Sequence, residues 1–289
     1  NLRTKGWELS LGWNDSFALM GKRFNYTVSA TLGDNLTEIT KYNNSEKKLT
    51  DYYEGMKLGE IWGYRVDGLF ASDEEAAEYT SKINQDFVNA RILSDKVEPY
   101  YRAGDLKFRD LDGDNIISKG DDTAYDAGDR EIIGNETPRY MYSFRLGADW
   151  NGIDLGIFFQ GVGKRDWYPN YLSTGFWGPY SRAFTSFIPE NFMDQCWSEE
   201  NPGGYFPRFR GYQTFKDSQL GVNNDRYLQD ASYIRLKNLT VGYTLPVLKK
   251  VFTKLRVYFT GENLWYWSPM KKYTKYIDPE AAGGNGNTG

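Results

Sequence analysis

Apolar and polar residues alternate with period two along much of this chain, the signature of strands with two unlike faces. Trp7, Leu9, Leu11 and Trp13 alternate with Glu8, Ser10, Gly12 and Asn14. Phe24 to Gly33 and Arg139 to Trp150 repeat the pattern, and Asn151-Gly152 then supplies the pair of positive-φ residues that a tight hairpin turn needs. Ile153 to Phe159 and Leu255 to Phe259 alternate likewise. These runs predict strands near 7–14, 23–33, 139–150, 153–163, 231–243 and 255–263. In the fifth run, Ile234 and Leu236 share one parity while Leu239, Val241 and Tyr243 share the other, which predicts a bulge near Asn238 or a strand that leaves the membrane part-way.

Several runs span about ten residues with an aromatic near each end. Ten residues tilted by about 45° cover roughly 23 Å, close to the apolar band of about 25 Å on a membrane barrel. The connections alternate between short (Asp15–Arg23, Asn151-Gly152, Leu245–Lys254) and long (34–138 and 164–230). Barrels of the outer membrane connect their strands in this way, with short periplasmic turns and long external loops. Only about six strands can be counted where the smallest such barrels need eight, so the chain is expected to be part of a larger polypeptide. The fold class expected is all-β, a segment of a large antiparallel transmembrane β-barrel with long external loops.

Composition sharpens this picture. Aromatics make up 17% of the 289 residues, with 23 Tyr, 17 Phe and 9 Trp, which suits strands and membrane girdles. A net charge of -4 argues against nucleic-acid binding. The absence of His removes His-based triads and His-ligated zinc. Cys196 stands alone, without a histidine to activate it, and is expected to be an inert thiol. The adjacent pairs Glu74/Glu75, Asp121/Asp122 and Glu199/Glu200 lack the cross-cleft separation of hydrolase carboxylates, so no enzyme is expected. Ser72-Asp73-Glu74-Glu75 is a capping box that predicts a short helix inside the first long connection.

The strongest local motif runs from Asp110 to Asp121. Asp110, Asp112, Asp114 and Asp121 fall at positions 1, 3, 5 and 12 of a calcium loop, with the Ile116 carbonyl at 7 and Ser118 at 9. Asn115 replaces the usual glycine, and the last ligand is Asp instead of Glu. A solvated Asp/Gly-rich turn is the competing reading. In the second long connection, Trp167, Tyr171, Trp177 and Tyr180 are candidates for stacking on sugar rings or, equally, for loop packing.

Several blocks carry a family resemblance: Thr4-Lys5-Gly6-Trp7-Glu8-Leu9, Gly104-Asp105-Leu106-Lys107-Phe108-Arg109-Asp110-Leu111-Asp112-Gly113-Asp114, Phe158-Phe159-Gln160-Gly161-Val162-Gly163, Ala231 through Pro246, Gly261-Glu262-Asn263-Leu264 and Asp278-Pro279-Glu280. In this order they resemble the C-terminal part of the SusC-like branch of TonB-dependent outer-membrane transporters. The resemblance implies a 22-stranded barrel with an N-terminal plug, here not matched, in the outer membrane of a Gram-negative bacterium. It further implies a SusD-like surface lipoprotein over the mouth, energy from TonB, and import of glycans, or of oligopeptides. A secreted calcium-dependent carbohydrate-binding β-sandwich is the alternative from a different class.

Overall fold

The computed structural model describes residues 1–85, 101–170, 172–182, 188, 190–209, 219–246 and 253–282; Tyr171 and the 283–289 tail lie outside them. In chain order the strands are β1 (Leu2–Leu19), β2 (Lys22–Ile39), β3 (Glu60–Tyr64), β4 (Val66–Leu69), β5 (Leu106–Phe108), β6 (Arg130–Asn135), β7 (Arg139–Trp150), β8 (Ile153–Lys164), β9 (Asp166–Trp167), β10 (Gln229–Asp230), β11 (Tyr233–Leu245) and β12 (Leu255–Trp267). Helix α1 (Asp73–Thr80) precedes β5, and α2 (Thr174–Trp177) and α3 (Pro179–Arg182) follow β9.

The six long strands form one antiparallel sheet in the order β1-β2-β7-β8-β11-β12. Its register gathers the alternating apolar residues on one face. Leu11 stands opposite Ala30, Ala30 opposite Phe144, Phe144 opposite Phe159 and Phe159 opposite Leu236. The other face carries Ser10, Thr31, Ser143 and Gln160 in one row. Among the described residues no second large sheet covers the apolar face: the remaining sheets have two strands each. Leu11, Trp13, Val257 and Phe259 are therefore each about 60% exposed, at 62%, 60%, 61% and 60%. A β-sandwich would bury this stripe between stacked sheets.

Aromatics gather at both ends of the apolar face. Near the tight turns, Phe17 packs on Phe24 at 5.0 Å, Trp13 Nε1 donates to Tyr26 Oη at 3.2 Å, and Trp150 Nε1 donates to the Leu19 carbonyl at 3.1 Å. Rings that keep a polar tip suit a boundary between hydrocarbon and water. At the other end stand Trp7, Tyr140, Trp265 and Trp267, all exposed.

Two differences from the alternation pattern have clear causes. The first hairpin is longer than expected, because Asp15 and Ser16 stay paired in the ladder and only Met20-Gly21, both at positive φ, make the turn. Eighteen residues at about 3.3 Å each, tilted by about 45°, rise roughly 42 Å, well past a 25 Å apolar band. The parity switch in β11 is a bulge: against β8, Lys237 is an extra residue between Leu236 and Asn238, while against β12 the register shifts the other way, with Asn263 and Leu264 opposite Lys237. Leu236 and Leu239 thereby face the same side.

The long connections fold together beyond the Leu2 end of β1. Their shared core includes Tyr64, Leu106, Phe108, Trp167, Phe176, Trp177, Phe206, Tyr227 and Met270. Half of the capping box forms as the sequence indicates: Ser72 Oγ accepts the Glu75 amide at 3.1 Å, while Glu75 accepts the amide of Ala71, one residue before the cap, at 2.7 Å.

Candidate functional site

Three places bear on function: the acidic loop, the aromatic core of the cap, and the polar face of the sheet.

In the acidic loop, carboxylate oxygens of Asp110, Asp112 and Asp129 lie within 4.8 Å of one another. Asn115 adopts φ 65°, the left-handed geometry expected of position 6. Asp110 accepts the amides of Gly113 and Asn115 at 2.7 and 2.9 Å, which curls the loop around its carboxylate. The third carboxylate is not Asp121. The chain continues past Gly120 and Gly128 before it returns, and Asp129 arrives fully buried, accepting the amides of Leu111 and Ser118 at 2.7 Å each. Asp114 and Asp121 stand outside this group; Asp114 instead accepts the Ile116 amide at 2.7 Å. Burial raises the pKa of Asp129 above the usual carboxylate value, opposed by its two amide donors. Asp129 was not legible because it lies outside the twelve-residue frame. The three carboxylates offer hard oxygen ligands, the type that calcium takes.

The aromatic candidates are placed differently from a stacking platform. Trp177 and Tyr180 are 0% exposed and Trp167 only 6%. Trp177 packs edge-on against Phe176 and Tyr227 at 4.7 and 5.1 Å, and its Nε1 donates to the Pro169 carbonyl at 2.9 Å. Tyr180 donates to the Pro207 carbonyl at 2.5 Å. With all three rings buried, and the polar tips of Trp177 and Tyr180 satisfied, they are core residues of the cap and not a sugar platform. Cys196 is buried with them, and burial raises its thiol pKa, as befits an inert side chain.

The blocks that carried the resemblance form structural joints. Gly104 sits at φ +84° against the Trp197 ring, where a Cβ would lie 2.4 Å from ring carbons. Asp105, fully buried, accepts from Gln219 Nε2 at 2.9 Å, and Gln219 accepts the Leu106 amide at 2.6 Å, which ties the first connection to the second. Arg235 on β11 pairs with Asp278 and, at 3.3 Å, with Glu280; Lys237 reaches Glu280 at 2.8 Å. That clamp holds the segment after β12 over the polar face of the sheet.

The polar face itself carries an Asp154–Arg256 pair at 2.5 Å, an Asn25–Asp149 hydrogen bond at 2.9 Å and a Thr31–Ser143 contact at 2.7 Å. At its upper end, between sheet and cap, lies a cavity of about 870 Å³ bordered by Glu8, Ser143, Phe158, Gln160, Arg165 and Glu280. Glu8 was visible in the sequence as a polar-parity position of β1; nothing in the pattern marked Arg165.

An antiparallel sheet with one apolar face, one polar face and a folded cap at one end is the kind of wall from which outer-membrane barrels are built. No protein-family model matches the chain. It is 26% identical to the TonB-dependent receptor P26 of Formosa agariphila over 98% of this chain, and 27% identical to receptor P3 of the same organism over 99%. The chain spans about a quarter (26%) of the length of each of these curated relatives. Among solved structures it resembles the RagAB peptide importer in its open-open state, with a TM-score of 0.59, 22% identity, and coverage of 98% of this chain and 27% of that one. A second RagAB peptide transporter structure gives a TM-score of 0.58 at 20% identity, covering 97% of this chain and 27% of that one. The chain thus resembles TonB-dependent receptors over nearly its whole length, and its fold is an antiparallel sheet of the outer-membrane barrel kind.

Proposed function

We propose that this chain forms part of the wall and external cap of a SusC-like, TonB-dependent importer in the outer membrane of a Gram-negative bacterium, with a SusD-like lipoprotein as its surface partner and TonB as its energy source. One observation carries the reading: among the described residues the sheet leaves its apolar face uncovered, while the cap, on the same chain, buries an aromatic cluster of Phe176, Trp177, Tyr180, Phe206 and Tyr227. Lipid is the solvent that makes both arrangements favourable at once. Similarity to TonB-dependent receptors supports import of a nutrient, and the likeness to RagAB, a peptide importer, supports oligopeptides among the cargoes. The glycan cargo implied by the sequence resemblance keeps no support from Trp167, Trp177 or Tyr180, which are buried.

The test is made on the full-length receptor. It should require detergent, migrate differently on gels before and after boiling, and lose nutrient uptake when TonB is deleted. A monomer soluble in plain buffer overturns the proposal.

The acidic loop supports a second element, a calcium ion held by Asp110, Asp112 and Asp129 that fixes the base of the cap. If it binds, calcium at a hundred times its Kd stabilises by about 2.7 kcal/mol, read as a rise in Tm that a chelator reverses. Asp129→Asn should abolish that rise. A Tm unmoved by calcium in the unaltered protein removes the ion from the proposal.

A further inference from the structure

The cavity between sheet and cap has an uneven charge inventory. Four charged residues border it: Glu8, Asp34, Arg165 and Glu280. Two of them are already neutralised. Arg139 grips Asp34 with two hydrogen bonds of 2.5 and 2.6 Å, and Lys237 and Arg235 hold Glu280 at 2.8 and 3.3 Å. The other two have no ion pair among the described residues. Arg165 is partly buried and donates only to backbone carbonyls, through Nε to Glu136 at 3.2 Å and through Nη1 to Pro279 and Glu280 at 3.4 and 3.5 Å. Its Nη2 makes no hydrogen bond among the described residues. Burial lowers the pKa of this guanidinium, and the nearby Glu136 carboxylate opposes the shift without forming an ion pair. Glu8, on the polar face of β1, is exposed to the cavity with no hydrogen bond among the described residues.

The sheet fixes the spacing of these two charges. Glu8 stands in register with Gly33, Met141 and Val162 in turn, and Arg165 follows Val162 by three residues. Three interstrand steps of about 4.8 Å, about 14 Å across the sheet, and three residues of offset, about 10 Å along β8, place the two backbone positions roughly 17 Å apart. With the Glu8 and Arg165 side chains reaching inward across part of that distance, an extended chain of four residues, about 13–14 Å long, spans the rest. The cavity lining between them includes Ser143 and Gln160, which offer donors and acceptors to a main chain, beside the apolar Met141 and Phe158.

We propose that this cavity seats a short oligopeptide by its two charged ends, with Arg165 taking the terminal carboxylate and Glu8 the terminal ammonium. The inference rests on the importer reading above and narrows its cargo. A guanidinium and a carboxylate form a charge-assisted, two-point contact, which fits Arg165 to that end. A neutral glycan offers neither charge, and an acidic glycan offers only one sign.

Calorimetric titration of the full-length receptor in detergent tests this with tetraalanine, its N-acetyl form, its C-terminal amide, maltotetraose and tetragalacturonate. Tetraalanine should bind, and each blocked form should bind at least tenfold more weakly. Arg165→Gln should erase the discrimination against the amide alone, and Glu8→Gln the discrimination against the acetyl form alone. Because the blocked ligands are compared on the unaltered receptor, a variant that fails to fold cannot hide the answer. The peptide assignment is overturned if tetraalanine does not bind, if blocking either end changes nothing, or if maltotetraose or tetragalacturonate binds as tightly. In that event uptake that still requires TonB leaves the importer reading standing; a receptor soluble without detergent removes both.

Discussion

The outer face of the sheet and the core of the cap are built from the same residue types and treat them in opposite ways. Trp13 and Phe259 are 60% exposed on the sheet, whereas Trp177 and Phe206 are 0% and 1% exposed in the cap. In water only the second arrangement is stable, since each aromatic ring carries a large area whose burial drives folding. The difference teaches why the proposed importer reading needs two solvents, with the boundary between them just below the cap. Backbone pairing follows the same division: the sheet closes its hydrogen bonds strand to strand, and the cap closes many of its own through side chains such as Asp129, Gln219 and Asp225.

The sharpest break in this comparison comes from the cap. Trp177→Ala should destabilise it by about 3–5 kcal/mol, because the site is fully buried. The expected signature is faster proteolysis of the long connections while the heat-dependent gel shift of the barrel persists. Loss of both together would mean that cap and sheet are one cooperative unit. Next in size is a pair of neighbours on β1. Leu11→Arg places a charge mid-way along the apolar face and should cost about 2–4 kcal/mol in lipid vesicles. Ser10→Arg, one residue away on the polar face, should stay within about 0.5 kcal/mol by urea titration. Equal losses at the two positions would break the assignment of faces. A smaller effect belongs to α1, where Ser72→Ala removes the cap hydrogen bond and should cost about 1 kcal/mol of local stability by hydrogen exchange. The smallest is a pH effect in the same turn. The Ala71 amide and then Lys107 hold the Glu75 carboxyl below its ordinary value. A depressed folded pKa gives stability that is full above the unfolded value of about 4.3 and is lost as pH falls through the folded value. Protection of α1 should therefore decline in acid below about pH 4, and Glu75→Gln should flatten that decline.

Much of the sheet was legible because its physics is local. A strand with lipid on one side and water on the other writes its faces directly into odd and even positions, as Trp7 to Trp13 and Arg139 to Trp150 show. The Asn151-Gly152 turn and the Ser72 cap were legible for the same reason: each is settled within four residues. The cap was not legible. Phe176, Phe206, Tyr227 and Met270 converge from distant segments with no period to announce it, so buried rings read as candidate binding residues. The acidic loop failed half-way for a related reason. Asp110 and Asp112 belong to a local motif, but Asp129 joins them only through a return of the chain that no twelve-residue template describes. Arg165 was invisible because its meaning depends on which neighbours lack an opposite charge.

Lys237 shows how much can hang on one residue. It is the single extra position in β11, and above it the strand's odd and even places trade sides. Tyr233 and Arg235 point inward only because of it, and Arg235 is where Asp278 is fastened. Excising this lysine would leave the lower rungs untouched yet rotate the upper ones by half a turn, turning a guanidinium onto the apolar face and letting go of the segment that carries Asp278. Shape at the mouth is thus governed by a count, a frame held by one amino acid, more than by the chemistry of any side chain in it.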